Sequence, residues 1–222
     1  MMIGDRIRTI LSTLPQGVSL CAVSKYHPVE AIQEAYDAGQ RIFGESHVQE
    51  LRQKQPALPQ DIEWHFIGHL QTNKVKYIAP YISLIHSVDS PRLLQEINRQ
   101  ALRAGRVIPC LLQLHVAQED TKFGFTPQEC LEYLRTGEYR TLTGIRITGI
   151  MCMATNTDSE ERILQDFSLA NNLFHQCRAE FPDLAESMIT RSWGMSDDYP
   201  LAIQQGSTLV RIGSSIFGAR QY

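Results

Sequence analysis

The sequence has no long hydrophobic run, no closely spaced cysteines and no excess of basic residues. No apolar stretch approaches the ~20 residues that a membrane-spanning helix needs, so we expect no membrane segment. With 21 lysines and arginines against 24 aspartates and glutamates, the net charge of −3 argues against a general nucleic-acid-binding protein. The five cysteines lie far apart, which excludes a C-x-x-C metal or redox motif. Their odd number favours buried reduced thiols in a cytoplasmic protein.

A targeting peptide and a domain boundary are also missing from the pattern. Residues 1–14 carry Asp5, Arg6 and Arg8 among apolar side chains, which predicts a short amphipathic helix rather than a signal peptide. The chain has 222 residues, 43% of them hydrophobic, and can bury a sizeable core. No linker or low-complexity tract interrupts it. We therefore expect a single domain over residues 1–222.

What the sequence does contain is a regular alternation of short apolar segments with helical patterns. The apolar segments lack the alternation of half-exposed strands and indicate strands that are covered on both faces. The predicted strands are 18–23, 41–44, 64–68, 83–88, 108–116, 144–151, 187–193 and 208–213. The predicted helices are 29–38, 71–78, 91–104, one that begins at 126–127, 159–180 and 197–205.

Eight strand–helix units in a chain of this length predict a (β/α)8 TIM barrel, and a doubly wound open sheet is the alternative. A barrel carries its chemistry at the carboxyl ends of its strands. Polar, small and charged residues do collect at the predicted ends, among them Lys25, Ser46 and the 194–198 segment.

Lys25 ends the first predicted strand, and Pro28 then suits the first turn of a helix. The more common role of such a lysine is to lie over the strand end with its ammonium in water. The alternative is a partly desolvated amine that forms a Schiff base with an aldehyde, since burial favours the neutral, nucleophilic form. The stretch by itself favours the first role.

The last two strand ends predict a phosphate site. In such barrels the loops after strands seven and eight often hold a phosphate on backbone N–H groups. Ser196 precedes a predicted helix and could equally be its N-cap, and Gly213 and Ser214 could equally form a tight turn. Strand alternation places Arg211 on the same side as Gly213, although a structural ion pair would also explain an arginine there.

His65 and His69 could suggest a metal. No carboxylate or third histidine stands at helical spacing with them, so we expect histidines of the core or of a hydrogen-bond network and no metal site.

Several of these stretches together resemble one family, the pyridoxal phosphate homeostasis proteins of the YggS/PROSC type. The matching stretches are AVSK at 22–25, FGE at 43–45, VQE at 48–50, WHFIGHLQTNK at 64–74, GMSDD at 194–198 and VRIGSSIFG at 210–218. The resemblance covers the chain from about residue 18 to residue 222 and favours the Schiff-base role for Lys25.

The resemblance implies a fold-type III barrel like the barrel domain of alanine racemase, with pyridoxal 5′-phosphate (PLP) held on Lys25. It also implies residues that contact the phosphate, one residue that contacts the pyridine nitrogen, and two further residues that line the site. The implied phosphate contacts are Ser196, Gly213 and Ser214, the nitrogen contact is Arg211, and the lining residues are His65 and Met151. Ser46 stands where the family usually has asparagine, so an amide contact near the ring is in doubt, and we count Ser46 itself among the cofactor-binding residues.

The resemblance leaves an enzyme and a carrier as alternatives. Racemisation needs two positioned acid–base groups, and alanine racemases take the second from a C-terminal domain that we do not expect here. An arginine at the ring nitrogen also disfavours a protonated pyridine. We expect a monomeric PLP-binding protein without appreciable turnover, with apo PLP enzymes or regulatory proteins as partners. A PLP-dependent racemase is the alternative.

Overall fold

The computed structural model describes residues 2–118 and 123–218. Eight parallel strands form a closed barrel in which each strand pairs with its sequence neighbours and the eighth pairs with the first. This confirms the predicted (β/α)8 barrel over the open sheet. The strands are β1 Ser19–Val23, β2 Ile42–Glu45, β3 Glu63–Phe66, β4 Leu84–Val88, β5 Ile108–Gln113, β6 Ile145–Met151, β7 Thr190–Ser192 and β8 Leu209–Ile212.

Helices follow the strands and cover the barrel. The α-helices are α1 Ile3–Thr13, α2 Val29–Asp37, α3 Val48–Lys54, α4 Pro91–Arg103, α5 Pro127–Thr136, α6 Glu160–Glu180, α7 Pro182–Ala185, α8 Tyr199–Gln204 and α9 Ser214–Phe217. Three 3₁₀ helices span Gln55–Ala57, Thr72–Tyr77 and Glu138–Thr141. The expected helix over 1–14 is α1, and no described helix is long and apolar enough to cross a membrane.

Local capping explains which helix boundaries the sequence predicted well. Ser90 accepts a hydrogen bond from the N–H of Leu93 at 3.4 Å, and Thr126 forms a reciprocal capping box with Glu129. The predicted helix over 197–205 begins two residues too early. The structure has Asp198 in the N-cap position, and α8 begins at Tyr199. The predicted helix over 71–78 is a 3₁₀ helix, and α3, α7 and α9 were not predicted.

The core has two parts, one on each side of the barrel wall. The larger part lies between the strands and the helices, as expected of strands covered on both faces. The smaller part fills the barrel interior and consists of Cys21, Leu84, Leu111, Met151 and Leu209. All five cysteines are buried and free, as expected for reduced thiols.

A chain of buried polar side chains crosses the barrel interior beside this apolar cluster. Arg211 donates to the Ser192 hydroxyl oxygen at 2.7 Å, Ser192 Oγ lies 2.9 Å from His86 Nδ1, and His86 Nε2 lies 3.0 Å from His65 Nδ1. Because arginine only donates, the serine proton is free to point at His86, which then donates to His65. Burial lowers the pKa of His65 to about 3 and that of His86 well below its usual range. Both imidazoles are therefore neutral at neutral pH.

We expect the His65→Gln variant to lose less stability in acid than the unaltered protein. His65 has an ordinary pKa of 6.5 when unfolded and about 3 when folded, so the unfolded state binds the extra proton between those values. Stability is therefore lost as the pH falls through this window, by about 2–3 kcal/mol for this group between about pH 7 and about pH 4.5. Urea unfolding followed by circular dichroism at both pH values measures the difference. The exposed His175→Gln is the control. An unchanged pH dependence in His65→Gln would contradict the buried, neutral imidazole.

Candidate functional site

A cavity of about 250 Å³ opens at the carboxyl ends of the strands. It brings together six of the eight residues that the sequence singled out. They are Lys25, Ser46, Ser196, Arg211, Gly213 and Ser214. His65 and Met151 are buried in the barrel and are absent from the cavity lining: Met151 belongs to the apolar interior cluster, and His65 to the polar chain that ends at Arg211.

A larger groove, of about 460 Å³, lies elsewhere, between the 3₁₀ helix Thr72–Tyr77 and α4. Two of its charged residues, Glu96 and Arg99, are already paired at 2.7 Å. It contains neither a lysine nor one of the residues selected from the sequence, so the strand-end cavity is the candidate site.

Lys25 enters the cavity from the turn that follows β1. The pairing with β2 continues one residue beyond the strand, since the N–H of Ser24 donates to Gly44 O at 3.0 Å. Lys25 itself is partly buried, and it contributes to the cavity wall. The side chain is therefore not fully in water, which is the condition that the Schiff-base role requires.

Ser196, Gly213 and Ser214 form one end of the cavity. The backbone N–H of Gly213 donates to Ser196 Oγ at 3.3 Å, which ties the loop after β7 to the loop after β8. Ser196 is thus not the N-cap of α8, whose cap position is Asp198. A Cβ on residue 213 would lie 3.2 Å from Val23 O, so glycine allows β8 to approach β1 closely here. The result is a hydroxyl-rich, open-backbone corner suited to an anion.

Arg211 lies deeper, on β8, and the residue is 4% exposed. It donates to Ser192 O at 2.6 Å, to Ser192 Oγ at 2.7 Å and to Cys152 O at 3.0 Å. All three acceptors are neutral, and none of the ion pairs among the described residues involves this arginine. Burial lowers the pKa of Arg211, but an arginine stays charged at any physiological pH. The structural ion pair that would also have explained this arginine is not among the ion pairs of the described residues, and Arg211 lines the cavity as a buried cation on which the nearby Asp198 acts only through its charge.

Ser46 is held in place by the close approach of the loop after β3. A Cβ on residue 68 would lie 2.7 Å from Ser46 Cβ, so only glycine fits at position 68. This contact fixes the backbone of Ser46 at the cavity wall. It is consistent with the choice of Ser46 as a site residue, although a serine is shorter than the asparagine common in the related family.

Sequence reasoning missed several residues of the site. His27 and Asp197 line the cavity, and His27 stacks on Phe217 with 4.9 Å between ring centroids. Both follow strand ends, so the barrel rule could have selected them. His86 lies within the buried strand β4, and its partner Ser192 is distant in sequence, so no local signal marks it. Among the described residues no cluster of side chains could hold a metal ion.

Comparisons with known proteins identify the family. The family described as alanine racemase, N-terminal domain, matches residues 2–221. A pyridoxal phosphate homeostasis protein of Pasteurella multocida is 39% identical over 210 residues, which cover 92% of this chain and 88% of that protein.

Solved structures show the same relationship. PipY of Synechococcus elongatus, at 36% identity, superposes with a TM-score of 0.92 without PLP and 0.88 with PLP bound, and the match covers 97% of this chain and 100% of that chain in each case. An alanine racemase of Clostridium difficile shares the fold, with a TM-score of 0.75 at 14% identity over 57% of its length. The barrel, the family match and the close relatives together show that this chain belongs to the pyridoxal phosphate homeostasis protein family.

Proposed function

We propose that this protein binds PLP in the strand-end cavity as a Schiff base on Lys25 and serves PLP homeostasis without appreciable turnover. The single observation that carries the proposal is the cavity itself. It combines a partly buried amine, an anion-binding corner and a buried arginine, and these three features match the aldehyde, the phosphate and the ring nitrogen of PLP. Relatives named for PLP homeostasis, and a PipY structure with PLP bound, support the same assignment.

The donor set fits the phosphate. The corner offers the Ser196 and Ser214 hydroxyls and the N–H of Gly213, which would exchange its 3.3 Å bond to Ser196 for a bond to an anionic oxygen. Hydrogen bonds to a charged acceptor are stronger than this neutral one. The missing Cβ at Gly213 keeps the backbone accessible.

Lys25 would form the covalent bond to the aldehyde of PLP. A neutral Nζ would attack the aldehyde carbon, a C=N bond would form, and the carbonyl oxygen would leave as water with the two amine protons. Ser46 would line the same wall of the cavity. His65 and Met151 would lie beneath the cavity floor, in the barrel interior. We propose these residues together with Ser196, Arg211, Gly213 and Ser214 as the binding set.

The environment of Arg211 favours a carrier over an enzyme. Bound PLP supplies an electron sink that works best when its ring nitrogen is protonated. Arg211 can donate a hydrogen bond to that nitrogen but cannot accept its proton. Its other donors are engaged by neutral oxygens, so no carboxylate at this position would stabilise a pyridinium. The arginine thus makes the bound group a weaker electron sink, which favours the carrier but does not by itself exclude turnover, since alanine racemases use an arginine there too.

We further propose a monomer in the cytoplasm that hands PLP to apo-enzymes or regulatory proteins. The five buried free thiols suit a reducing compartment. The slight negative net charge favours neither nucleic acid nor an anionic membrane as a partner.

Lys25 should be the residue that carries PLP. We expect the purified protein to be yellow, and borohydride reduction followed by peptide mass mapping should place the pyridoxyl group on Lys25. The variant Lys25→Ala should lose the visible absorbance yet keep part of its affinity through the phosphate corner. Lys74 is the internal control, and a label on that residue or on Lys122, which lies outside the described residues, would show that Lys25 is the wrong assignment.

Ser196 and Ser214 should contribute to binding through the phosphate alone. Ser196→Ala and Ser214→Ala each remove one hydrogen bond to a charged group, worth ~1.5–3 kcal/mol, or roughly ten- to a hundred-fold in affinity for PLP. Pyridoxal, which lacks the phosphate, should bind these variants as it binds the unaltered protein. Fluorescence titration with both ligands measures this, with the exposed Ser215→Ala as the matched control. Equal losses for PLP and pyridoxal would mean that the serines only support the loops.

Amino acids should not be turned over. We expect L-alanine, L-serine and L-glutamate to keep their Cα protons in heavy water, because Arg211 does not support a pyridinium. Proton NMR and chiral chromatography after long incubation are the measurements. Deuterium at Cα over many turnovers, abolished in Lys25→Ala, would instead establish an enzyme of the racemase class. His27 and Asp197, the other titratable groups of the cavity wall, would then be the acid–base candidates.

A further inference from the structure

The turn that carries Lys25 contains an unusual backbone conformation. Tyr26, the next residue, has φ of 66° and is the only non-glycine residue with positive φ among those described. This left-handed region is unfavourable for an L-residue, and tyrosine lacks the short polar side chain with which asparagine tolerates it. Surrounding contacts must therefore hold Tyr26 in place.

A carboxylate supplies the first of these contacts. Glu50, on α3, accepts a hydrogen bond from the N–H of Tyr26 at 2.8 Å. Its other oxygen lies 3.2 Å from His47 Nδ1, and the His47 ring is 5.1 Å from the Tyr26 ring. Glu50 thus reaches both the backbone of Tyr26 and the imidazole beside its side chain.

A buried lysine supplies the second contact, on the other side of Lys25. Lys54 is 6% exposed, and its ammonium donates to Ser24 O at 2.9 Å, to Glu45 Oε1 at 2.8 Å and to Glu50 Oε2 at 2.7 Å. Its three donors are all used. Glu45 Oε1 also accepts from Ser24 Oγ at 2.7 Å, so Ser24 is held by its carbonyl and by its hydroxyl.

The charges of this group depend on one another. Glu45 is fully buried, and burial raises the pKa of its carboxyl, an effect that Lys54 opposes. Burial would also raise the pKa of Glu50, but hydrogen bonds from Lys54 and from the Tyr26 N–H lower it overall. A buried ion pair of this kind is a poor source of net stability, and fixing a conformation is a role for which such pairs are better suited.

We propose that Glu45, Glu50 and Lys54, together called the Lys25 clamp, are positioning residues that hold Ser24 and Tyr26 so that the Lys25 amine is aimed into the cavity. The inference rests on the proposed function and deepens it. The clamp lowers the entropy lost when Lys25 Nζ bonds to the aldehyde carbon and water leaves. Among the described residues, its hydrogen bonds go to Ser24, Tyr26 and His47 and not to Ser196, Gly213 or Ser214, so we expect its effect on the covalent step.

The test compares PLP with pyridoxine 5′-phosphate, which has the same ring and phosphate but an alcohol in place of the aldehyde. In Glu50→Gln we expect PLP to bind about ten-fold more weakly or worse, because the Tyr26 N–H and the Lys54 ammonium would then donate to a neutral amide oxygen in place of a carboxylate, while pyridoxine 5′-phosphate stays within about two-fold. Absorbance of the Lys25 linkage and borohydride trapping report the covalent step. Glu30→Gln, an exposed change on α2, is the matched control. Equal losses for both ligands, or no loss for either, would overturn the proposal.

A second pair of variants tests the backbone without changing any charge. Tyr26→Asn and Tyr26→Val both remove the ring, but asparagine tolerates positive φ and valine, being β-branched, does not. We expect the valine variant to bind PLP about ten-fold more weakly than the asparagine variant, and both to bind pyridoxine 5′-phosphate alike. Equal PLP affinities would refute the conformational role of Tyr26 even if Glu50→Gln proved too unstable to purify.

Failure of the clamp can be told from failure of the proposed function. If the unaltered protein bound both ligands equally and borohydride left Lys25 unlabelled, the covalent assignment itself would be wrong. If Lys25 were labelled in the unaltered protein and equally in Glu50→Gln and Tyr26→Val, only the clamp would be refuted.

Discussion

The pairing of the first strand with the last is the constraint on which the site depends. Cys21 lies opposite Arg211 and Ala22 opposite Ile212, so β1 and β8 run side by side and end at the same mouth. Lys25 thereby meets Gly213 and Ser214 from the far end of the chain. An open doubly wound sheet would leave its edge strands apart and could not bring these two ends together in this way. Closure of the barrel is therefore the step that assembles an amine and an anion-binding corner into one cavity.

Two buried cations near this cavity have different surroundings, and the difference suits their roles. Lys54 forms ion pairs with the carboxylates of Glu45 and Glu50, which compensate its charge. Arg211 donates to neutral oxygens, one of which is the Ser192 hydroxyl. Ser192 begins the series of hydrogen bonds that continues to His86 and His65. Because those imidazoles are neutral, they orient the arginine without adding charge. The field of Arg211 is thus available to a ligand, whereas that of Lys54 is not.

The sequence was most informative where a residue's role is local. Strands buried on both faces appear as apolar runs, and all eight were found, although β7 shrinks to three residues with Arg191 and Ser192 in its centre and at its end. Lys25 and Ser196 could be selected because they end strands. The residues of the Lys25 clamp could not be selected in this way. The helix α3 is short, and a lysine such as Lys54 is usually expected in solvent. In the structure Lys54 points inward, to partners on two other segments. His86 was missed for a similar reason, because its role depends on a hydrogen bond with Ser192, which is distant in the sequence.

A PLP carrier must hold its cargo covalently and still leave it unreacted, and the site separates these two demands in space. In the binding mode that we propose, holding depends on the Lys25 turn, where the left-handed Tyr26 and its carboxylate partner would fix the direction of the amine. Inertness depends on Arg211, which offers hydrogen-bond donors and no proton acceptor. The two groups lie on neighbouring strands, β1 and β8, and line the same cavity, where each would act on a different part of the ligand. Strengthening the covalent hold therefore need not create an enzyme, and the same barrel fold also occurs in an alanine racemase.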